Sequence, residues 1–295
     1  MTELVQRPLR SWMFVPGNRQ RFLDKAIDSP ADAVFLDLED GVPPPEKAAA
    51  RDMVRETLGR PPGGPMRLVR VNAVGSPWFA EDIATVVVPG IEGVTLPKVE
   101  EPSVVVEVAS QLSELERQAG IPEGQTRIVA AIESARSLIN AAAVAAAHPR
   151  VLALMFGAED FALDLGLGTQ REAEARELVF ARSSIVVAAA SARALSIDGV
   201  FPNLEDPEGL DLDVVQARRL GFSAKSTFNP RQIEVINRVF SPSPDEVEYA
   251  RKVVKAFEEA QARGDGSVAV GGQLVDLPIV RRGQRLLETL AGTEG

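Results

Sequence analysis

Short apolar runs that alternate with helical patterns constrain the fold of this chain most strongly. The runs are nearly continuous in hydrophobic residues, as expected for a parallel sheet covered by helices. Eight strands alternating with helices over about 230 residues predict a closed (β/α)8 TIM barrel, an α/β fold. An open doubly wound sheet is the alternative, but no Gly-x-Gly-x-x-Gly turn follows the first predicted strand. The predicted strands are 11–15, 33–37, 67–71, 93–96, 127–132, 151–156, 199–201 and 222–226.

The pattern changes near residue 240. The Ser-Pro-Ser-Pro segment at 241–244 interrupts the helical pattern, and a charged amphipathic helix follows it. A small apolar strand between glycine-containing turns and a last helix over 278–290 complete the chain. We expect a barrel over 1–240 and a C-terminal helical extension over 241–295. This extension looks too small for a core of its own, so we expect it to pack against a neighbouring subunit or to act as a lid.

The composition excludes several kinds of functional site. The 295-residue chain has no cysteine and a single histidine, His148, which excludes thiolate sites and a histidine-rich zinc site. A bound metal would therefore have oxygen ligands, which favours magnesium, manganese or calcium. The net charge of −10 argues against a nucleic-acid partner. Because neither a membrane-spanning run nor a signal-peptide pattern is evident, we expect a cytoplasmic protein without membrane contact.

Acidic residues follow three of the predicted strands. Glu133 comes directly after one strand and Asp160 shortly after the next, while Asp37, Glu39 and Asp40 end an earlier one. The carboxyl ends of parallel strands are where such folds bind ligands, and a charge beside a buried strand is costly unless it meets a counter-charge or a metal. Glu133 and Asp160 are therefore candidate ligands of a divalent cation. Capping of the following helices is the alternative interpretation.

Basic residues at two other places could contact an anion. Arg70 lies inside an otherwise apolar strand, where it could bind a substrate carboxylate or form a structural salt bridge to Asp37 or Glu39. Arg21 and Lys25 lie one turn apart at the start of a predicted helix. They could form a phosphate site or simply belong to a solvated face.

Nine ordered stretches together point to a family. They are RSWMFVPGN at 10–18, DAVFLDLEDGV at 32–42, RVN at 70–72, LPKV at 96–99, AIES at 131–134, GAED at 157–160, GFSAK at 221–225, NPRQI at 229–233 and VDLP at 275–278. With these stretches the chain resembles the citrate lyase β-subunit-like branch of the HpcH/HpaI aldolase family. The resemblance implies a (β/α) barrel with a C-terminal extension, assembled as a homotrimer or a hexamer of two trimers.

The resemblance also implies roles for individual residues. Magnesium would be held by Glu133 and Asp160, and Arg70 would bind the substrate carboxylate. The coenzyme A path would be lined by Phe14, Arg21 and Lys25. Asp276 matches the acid that relatives donate from the lid of an adjacent subunit as catalytic base. Asp37, Glu39 and Asp40 would lie around the metal ligands.

The activity implied by the resemblance is a magnesium-dependent carbon–carbon lyase. It would cleave a malyl-, citramalyl- or citryl-type coenzyme A thioester into a 2-oxo acid and an acyl-CoA. Three alternatives remain: the β subunit of a multisubunit citrate lyase that uses an acyl-carrier-protein thioester, a non-catalytic binder of 2-oxo acids, and a simple aldolase. Asn229 stands where relatives commonly have histidine, and Phe228 replaces an aliphatic residue. These two differences concern the pocket wall and hence the acyl-chain preference.

Overall fold

A computed structural model describes residues 8–168 and 175–291 of the chain. The chain divides into two compact units. One unit comprises Leu9–Phe240, and the other is built around the segment that begins at Ser241. Within the described ranges, no helix is both long enough and apolar enough to cross a membrane.

Eight parallel strands form a closed barrel in chain order, which confirms the predicted fold class. The barrel closes where the last strand pairs with the first, with Ser11 opposite Lys225 and Met13 opposite Thr227. The strands are β1 (Ser11–Pro16), β2 (Ala33–Asp37), β3 (Met66–Arg70), β4 (Gly93–Leu96), β5 (Arg127–Ile132), β6 (Val151–Phe156), β7 (Leu195–Asp198) and β8 (Ala224–Thr227).

Helices follow the strands and cover them. The main core lies between the helices and the outward sides of the strands, and it is built mostly from valine, leucine, isoleucine and alanine. The helices are α1 (Gln20–Ile27), α2 (Lys47–Leu58), α3 (Phe79–Val86), α4 (Pro102–Ala119), α5 (Ala135–Ala146), α6 (Ala158–Asp164), α7 (Val179–Ser191), α8 (Pro207–Leu220) and α9 (Ile233–Phe240).

Local signals fix where these helices begin and end. Ser134 caps α5, because its hydroxyl accepts a hydrogen bond from the backbone N–H of Ser137 while the Ser137 hydroxyl accepts one from the backbone N–H of Ser134. At the other end of a helix, Gly120 terminates α4 with a left-handed φ of 69°. The cap of α5 starts that helix directly after Glu133 and thereby holds this residue at the end of β5.

The predicted position of the seventh strand was wrong. The apolar run predicts a strand over 199–201, whereas β7 spans Leu195–Asp198. Asp198 is buried because Arg182 and Lys225 pair with it at 2.7 and 2.6 Å. A charged residue inside a buried strand breaks the apolar pattern, and its two partners lie on other elements that the local sequence does not reveal.

The C-terminal unit contains two long helices and a hairpin. Its elements are α10 (Pro244–Ala262), β9 (Val268–Val270), β10 (Gln273–Val275) and α11 (Leu277–Ala291). The sequence predicted only one of these strands. It also predicted no core, whereas Val253, Phe257, Val275 and Val280 form a small buried cluster within the unit. Four apolar side chains spaced over three elements are too few to stand out as a periodic pattern.

Candidate functional site

Arg70 and Asp37 form a buried two-point ion pair at the ends of β3 and β2. The Arg70 Nε donates to Asp37 Oδ1 and Nη2 donates to Oδ2, both at 2.7 Å. Arg70 Nη1 also lies 3.3 Å from Glu39 Oε2. Burial lowers the pKa of Arg70, but the hydrogen bonds and charge of Asp37 outweigh this and raise it above its ordinary value. The structural salt bridge is therefore present, and Arg70 remains a cation.

The ring of Phe14 lies beside this arginine. The Arg70 guanidinium carbon is 4.7 Å from the ring centroid, within the range of a cation–π contact. Phe14 is buried and also contacts Phe35 and Phe228, with ring centroids 4.7 and 5.0 Å apart. Phe14 thus forms an apolar wall against Arg70 inside the barrel unit, and Phe228 extends that wall.

Arg21 and Lys25, which the resemblance places along the same path as Phe14, lie on α1. Both side chains are exposed to solvent. Leu23 and Ala26 form the buried side of that short helix. The exposed basic pair can therefore contact a ligand. Its position on α1 fits both a phosphate site and an ordinary solvated helix face.

Glu133 is buried at the end of β5 and is held in place from two sides. Its Oε2 accepts a hydrogen bond from the backbone N–H of Lys98 at 2.8 Å. Gly157, which precedes α6, leaves the space that the Glu133 side chain fills, because a Cβ atom at Gly157 would overlap Glu133 Cγ and Oε1. Lys98 itself has a left-handed backbone with φ of 55°, an uncommon conformation for a residue with a side chain.

The electrostatics of Glu133 indicate an excess of negative charge. Burial raises its pKa to about 7, and the charges of Glu39 and Asp160 act in the same direction. The Lys98 N–H and the charge of Arg70 oppose the shift but do not cancel it. Asp160, in the first turn of α6, is half-buried and acts on Glu133 through its charge. The predicted cation ligands thus lie within electrostatic reach of each other.

Glu39 has one unsatisfied oxygen in the same region. Its Oε1 makes no hydrogen bond, although Lys98 Nζ lies 3.2 Å away as an ion-pair partner without hydrogen-bond geometry. Burial raises the pKa of Glu39, and the charge of Arg70 opposes this. Asp40 is exposed beside it. Lys98 therefore contacts Glu133 through its backbone N–H and Glu39 through its ammonium group.

The carboxylates in this region suit a hard divalent cation that also binds water or substrate oxygens. Across residues 8–168 and 175–291, no cluster of three His, Cys, Asp or Glu side chains is arranged as a complete metal site. Glu133 and Asp160 would supply two carboxylate ligands, and magnesium commonly takes its remaining ligands from water and substrate oxygens. A nearby divalent cation would counter the raised pKa of Glu133 and could bind Glu39 Oε1, which has no hydrogen-bond partner. The residues present therefore fit such an ion.

A cleft beside Glu39 includes residues that the sequence analysis missed. It has a volume of about 290 Å³, and its walls include Lys47, Asn72 and Trp78. The buried Lys47 ammonium donates to the backbone oxygen of Glu39 and to Asn72 Oδ1, both at 2.7 Å. Lys47 lies at the start of a predicted helix, where a lysine is unremarkable. Asn72 lay within the matched RVN stretch, which was the available signal.

Asp276 lies in the C-terminal unit, between β10 and α11. Its side chain is exposed. Its backbone oxygen accepts hydrogen bonds from the N–H groups of Ile279 and Val280, both at 3.1 Å, which starts α11. The carboxylate therefore lies exposed at the N-terminus of α11.

Comparisons with known proteins agree with this architecture. A family model described as HpcH/HpaI aldolase/citrate lyase matches residues 10–230. The citrate lyase subunit beta of Leuconostoc mesenteroides subsp. cremoris is 39% identical over 284 residues, which cover 96% of this chain and 93% of that protein. A (3S)-malyl-CoA thioesterase of Cereibacter sphaeroides (strain ATCC 17029 / ATH 2.4.9) is 36% identical over 288 residues, covering 96% and 95%.

A solved structure extends the likeness to three dimensions. It is the protein CitE from Mycobacterium tuberculosis in complex with magnesium, acetoacetate and coenzyme A. It is 32% identical to this chain, with a TM-score of 0.79, and the match covers 97% of this chain and 99% of that one. A second structure of the citrate lyase beta subunit from the same organism, with oxaloacetate and magnesium, matches 81% of this chain at a TM-score of 0.69.

Proposed function

The chain belongs to the HpcH/HpaI aldolase/citrate lyase family, and we propose that it is a magnesium-dependent carbon–carbon lyase. Its substrate would be a malyl-, citramalyl- or citryl-type coenzyme A thioester, and its products a 2-oxo acid and an acyl-CoA. One observation carries this proposal: the buried carboxylate of Glu133 lies within electrostatic reach of both Asp160 and a buried arginine cation, Arg70. A divalent cation would neutralise the carboxylates, and the carboxylate of an organic acid would pair with Arg70.

Glu133 and Asp160 would hold the ion. When bound, a divalent cation would polarise the reacting oxygen of the substrate and neutralise charge that develops on it. Two carboxylate ligands, one after β5 and one in the first turn of α6, would leave the remaining coordination positions open to the substrate. Relatives support this choice, because a structure of CitE contains magnesium and one of the citrate lyase beta subunit contains magnesium with oxaloacetate.

Arg70 would bind and orient the substrate carboxylate. A guanidinium has five N–H donors, and the two bonds to Asp37 leave three of them, although the nitrogen Nη1 that carries two of these lies 3.3 Å from Glu39 Oε2. The bidentate pair fixes the plane of the guanidinium, and the ring of Phe14 covers it from one side. The remaining donors could then contact both a substrate carboxylate and the oxygen on which negative charge appears.

Cleavage requires removal of the proton from the substrate hydroxyl group. The electrons of the O–H bond form the carbonyl of the 2-oxo acid, and those of the broken carbon–carbon bond form a thioester enolate, which takes up a proton to give the acyl-CoA. We assign the proton transfer to Asp276, whose carboxylate is exposed at the start of α11. A carboxylate on a segment that closes over substrate would be desolvated and made more basic.

The arrangement of basic residues favours a phosphorylated carrier. Arg21 and Lys25 are exposed on α1, which follows the strand that contains Phe14. We propose that this pair contacts the phosphates of coenzyme A. We also propose that the protein is a homotrimer or a hexamer, as the family resemblance implies.

A thioesterase is the second candidate function, because a relative with 36% identity is named (3S)-malyl-CoA thioesterase. The same groups could then hold a hydroxyacyl thioester while water attacks its carbonyl carbon. A third candidate is a subunit of a larger citrate lyase that accepts its thioester from an acyl carrier protein, since other relatives are named citrate lyase subunit beta.

Product analysis separates these candidates. The purified protein is incubated with magnesium and a panel of malyl-, citramalyl- and citryl-CoA thioesters, and the products are resolved by liquid chromatography. A lyase yields a 2-oxo acid and an acyl-CoA, whereas a thioesterase yields a hydroxy acid and free coenzyme A. A carrier-protein-dependent subunit turns over only when the substrate is loaded on that carrier. Absence of every product, with substrate binding retained, would instead identify a non-catalytic binder.

A further inference from the structure

Four aromatic side chains form a continuous column from the barrel interior toward the carboxyl ends of the strands. Their ring centroids are 5.2 Å apart for Trp12 and Phe35, 4.7 Å for Phe35 and Phe14, and 5.0 Å for Phe14 and Phe228. We call these four side chains the aromatic column. Trp12 and Phe35 are fully buried, whereas Phe228 is 57% exposed. Because the Arg70 guanidinium lies over Phe14, the column borders the group proposed to bind the substrate carboxylate.

The exposed ring of the column, that of Phe228, is held in a fixed position. Thr227 precedes it and is fully buried, and its hydroxyl oxygen accepts a hydrogen bond from the backbone N–H of Asn229 at 2.9 Å. Thr227 also lies opposite Met13 where β8 pairs with β1, which brings Phe228 beside Phe14. A lone exposed hydrophobic residue on a surface needs no special explanation. Phe228 differs because it continues a buried column and presents a preorganised apolar surface.

Three cations lie around Glu39, and each already has partners. Arg70 pairs with Asp37 and has Glu39 at 3.3 Å, so its remaining N–H donors suffice for at most one substrate carboxylate. Lys98 Nζ lies 3.2 Å from Glu39 Oε1. The Lys47 ammonium is buried and donates to three oxygens at 2.6 to 2.7 Å. Among the described residues of this region, these cations therefore leave no unpaired positive charge for a second substrate carboxylate.

Carboxylates predominate among the other charged groups of this region. Asp40 and Asp160 lie within electrostatic reach of Lys98, and Glu39 and Asp160 lie within that of Glu133. A divalent cation on Glu133 and Asp160 would neutralise those two, and Glu39 would keep Lys98 as its partner. A second carboxylate on the substrate would then face either the aromatic column or the remaining acids. Both surroundings are unfavourable for an unpaired negative charge.

The three candidate substrate types differ in one substituent. The carbon that carries the hydroxyl and carboxylate groups also carries hydrogen in a malyl thioester, methyl in a citramalyl thioester and carboxymethyl in a citryl thioester. Only the citryl type brings a second free carboxylate to the site. On the basis of the proposed function, we propose that this chain selects malyl- or citramalyl-type thioesters over citryl-type ones, with Phe228 as a specificity-determining residue. The released 2-oxo acid would then be glyoxylate or pyruvate rather than oxaloacetate.

Phe228 is assigned this role because its ring is the accessible part of the aromatic column. With the substrate carboxylate on Arg70 and the hydroxyl oxygen on the cation, two of the four groups on that carbon are fixed. The substituent that differs is then confined to the walls beside Arg70, where Phe14 is buried and Phe228 is exposed. Hydrogen and methyl are compatible with an apolar wall, whereas a carboxylate loses its hydration there without gaining a partner.

Calorimetry with 2-oxo acids tests this inference without an activity assay. The full-length protein is titrated with pyruvate and, separately, with freshly prepared oxaloacetate, at the same free magnesium concentration. Pyruvate corresponds to the methyl substituent and oxaloacetate to the carboxymethyl substituent. We expect pyruvate to bind at least about tenfold more tightly than oxaloacetate, because the second carboxylate meets apolar and acidic groups without a partner.

Phe228→Lys places a cation at the exposed end of the aromatic column. Oxaloacetate should then bind more tightly, and the ratio of the two affinities should shift toward oxaloacetate by at least about tenfold. Phe228→Leu removes the ring but keeps the wall apolar, so it should retain the preference of the wild type. Phe180→Lys adds the same charge at another exposed phenylalanine, on α7, and should also retain that preference.

The outcomes separate this inference from the proposed function. Oxaloacetate that binds the wild type as tightly as pyruvate does would overturn the inference and leave the proposed lyase site in place. An unchanged affinity ratio in Phe228→Lys, shown to be folded by circular dichroism, would overturn the assignment to Phe228. No binding of either acid with magnesium would contradict the proposed function and the inference with it. The wild-type comparison needs no variant, so it decides the question even if Phe228→Lys does not fold.

Discussion

Asp37 holds Arg70 through two parallel hydrogen bonds of 2.7 Å and also accepts hydrogen bonds from the backbone N–H groups of Glu39 and Gly41, both at 2.9 Å. One buried carboxylate therefore fixes both the guanidinium and the turn that carries Glu39. This double role explains how the ends of β2 and β3 are kept in register at the site.

Asp37→Asn tests that role. The amide keeps the size of the side chain but removes the charge that compensates Arg70, and breaking a buried pair typically costs about 3 kcal/mol or more. We expect a loss of that order in the free energy of unfolding by urea, together with a higher KM for substrate. Asp24→Asn, which breaks the partly exposed pair with Arg60, is the control and should lower the free energy of unfolding much less. Equal losses in the two variants would contradict the assignment.

Gly157→Ala tests the space reserved for Glu133. The backbone at this glycine has φ of −91° and ψ of 79°, so the conformation does not depend on glycine's access to positive φ. The added methyl group overlaps the Glu133 side chain and should displace it from the Lys98 N–H. We expect magnesium-dependent turnover to fall at least about tenfold, because displacements near 1 Å in a site have effects of this size or larger.

Gly59→Ala provides the comparison for that variant. At Gly59 the nearest atoms to an added Cβ are 3.4 and 3.8 Å away, and φ is −70°. This substitution should leave both turnover and stability nearly unchanged. If the two alanine variants have the same turnover, the packing of Gly157 against Glu133 does not matter for the reaction.

Glu133 should make the metal-free protein less stable as the pH rises. Its folded pKa of about 7 lies above the ordinary value of 4.5, so between these values the folded protein keeps a proton that the unfolded chain has released. The stabilisation is complete below pH 4.5 and is lost as the pH rises through 7. A shift of this size corresponds to about 3 kcal/mol.

Glu133→Gln removes this titration. Relative to wild type, the metal-free variant should gain unfolding free energy between pH 5 and pH 8, as measured by urea denaturation at each pH. Magnesium should stabilise the wild type more at pH 8 than at pH 5.5, because it binds the deprotonated carboxylate, and should have little effect on the variant. A stability difference that is constant with pH would show that Glu133 has an ordinary pKa.

Lys98→Gly distinguishes the contact of the Lys98 backbone N–H with Glu133 from the contact of its ammonium group with Glu39. Glycine adopts the left-handed backbone without strain, so the N–H to Glu133 should persist while the ammonium beside Glu39 is lost. Removing a positive charge near Glu39 and Asp160 should tighten magnesium binding several-fold in calorimetry without substrate. Lys98→Ala makes the same charge change but retains the strain, and it should be about 1 kcal/mol less stable than the glycine variant. Unchanged or weaker magnesium binding in both would contradict this electrostatic account.

Asp276→Asn should lower kcat by at least about 100-fold while leaving KM within a few-fold of wild type. Asp265→Asn, another exposed acid of the C-terminal unit, is the control and should behave as wild type. If Asp276 acts on a neighbouring copy, mixed oligomers of Asp276→Asn and Glu133→Gln chains should regain part of the activity. Retained kcat in the single variant would assign the proton transfer to another group.

Much of the barrel was predictable because its strands are apolar and its helices carry local end signals. The strand bounds at 33–37, 93–96, 127–132 and 151–156 agree with the structure residue for residue. The seventh strand failed because Asp198 is stabilised by Arg182 and Lys225, which come from elements before and after it. Pairing across the barrel is not visible in a local pattern.

The candidate site was predictable in part, because its residues follow strands that could be recognised in the sequence. The ends of the strands indicated Asp37, Arg70 and Glu133, but not whether Arg70 would face a substrate or a salt bridge. The structure shows the salt bridge to Asp37 and leaves further donors on the same guanidinium. The sequence did not indicate a role for Lys47. Its ammonium donates to the backbone oxygens of Leu38 and Glu39 and to Asn72 Oδ1, and these three acceptors come together only in the folded barrel.

The way the barrel closes affects the two halves of the site differently. Glu133 and Asp160 follow the consecutive strands β5 and β6, so their proximity depends on the pairing of these two strands. The aromatic wall around Arg70 needs Phe14 from the beginning of the barrel and Phe228 from its end, and it exists only after β8 has docked on β1. A mutation that loosens the pairing of β1 with β8 should therefore weaken the proposed carboxylate selectivity at Arg70 more than the proposed binding of the cation by Glu133 and Asp160.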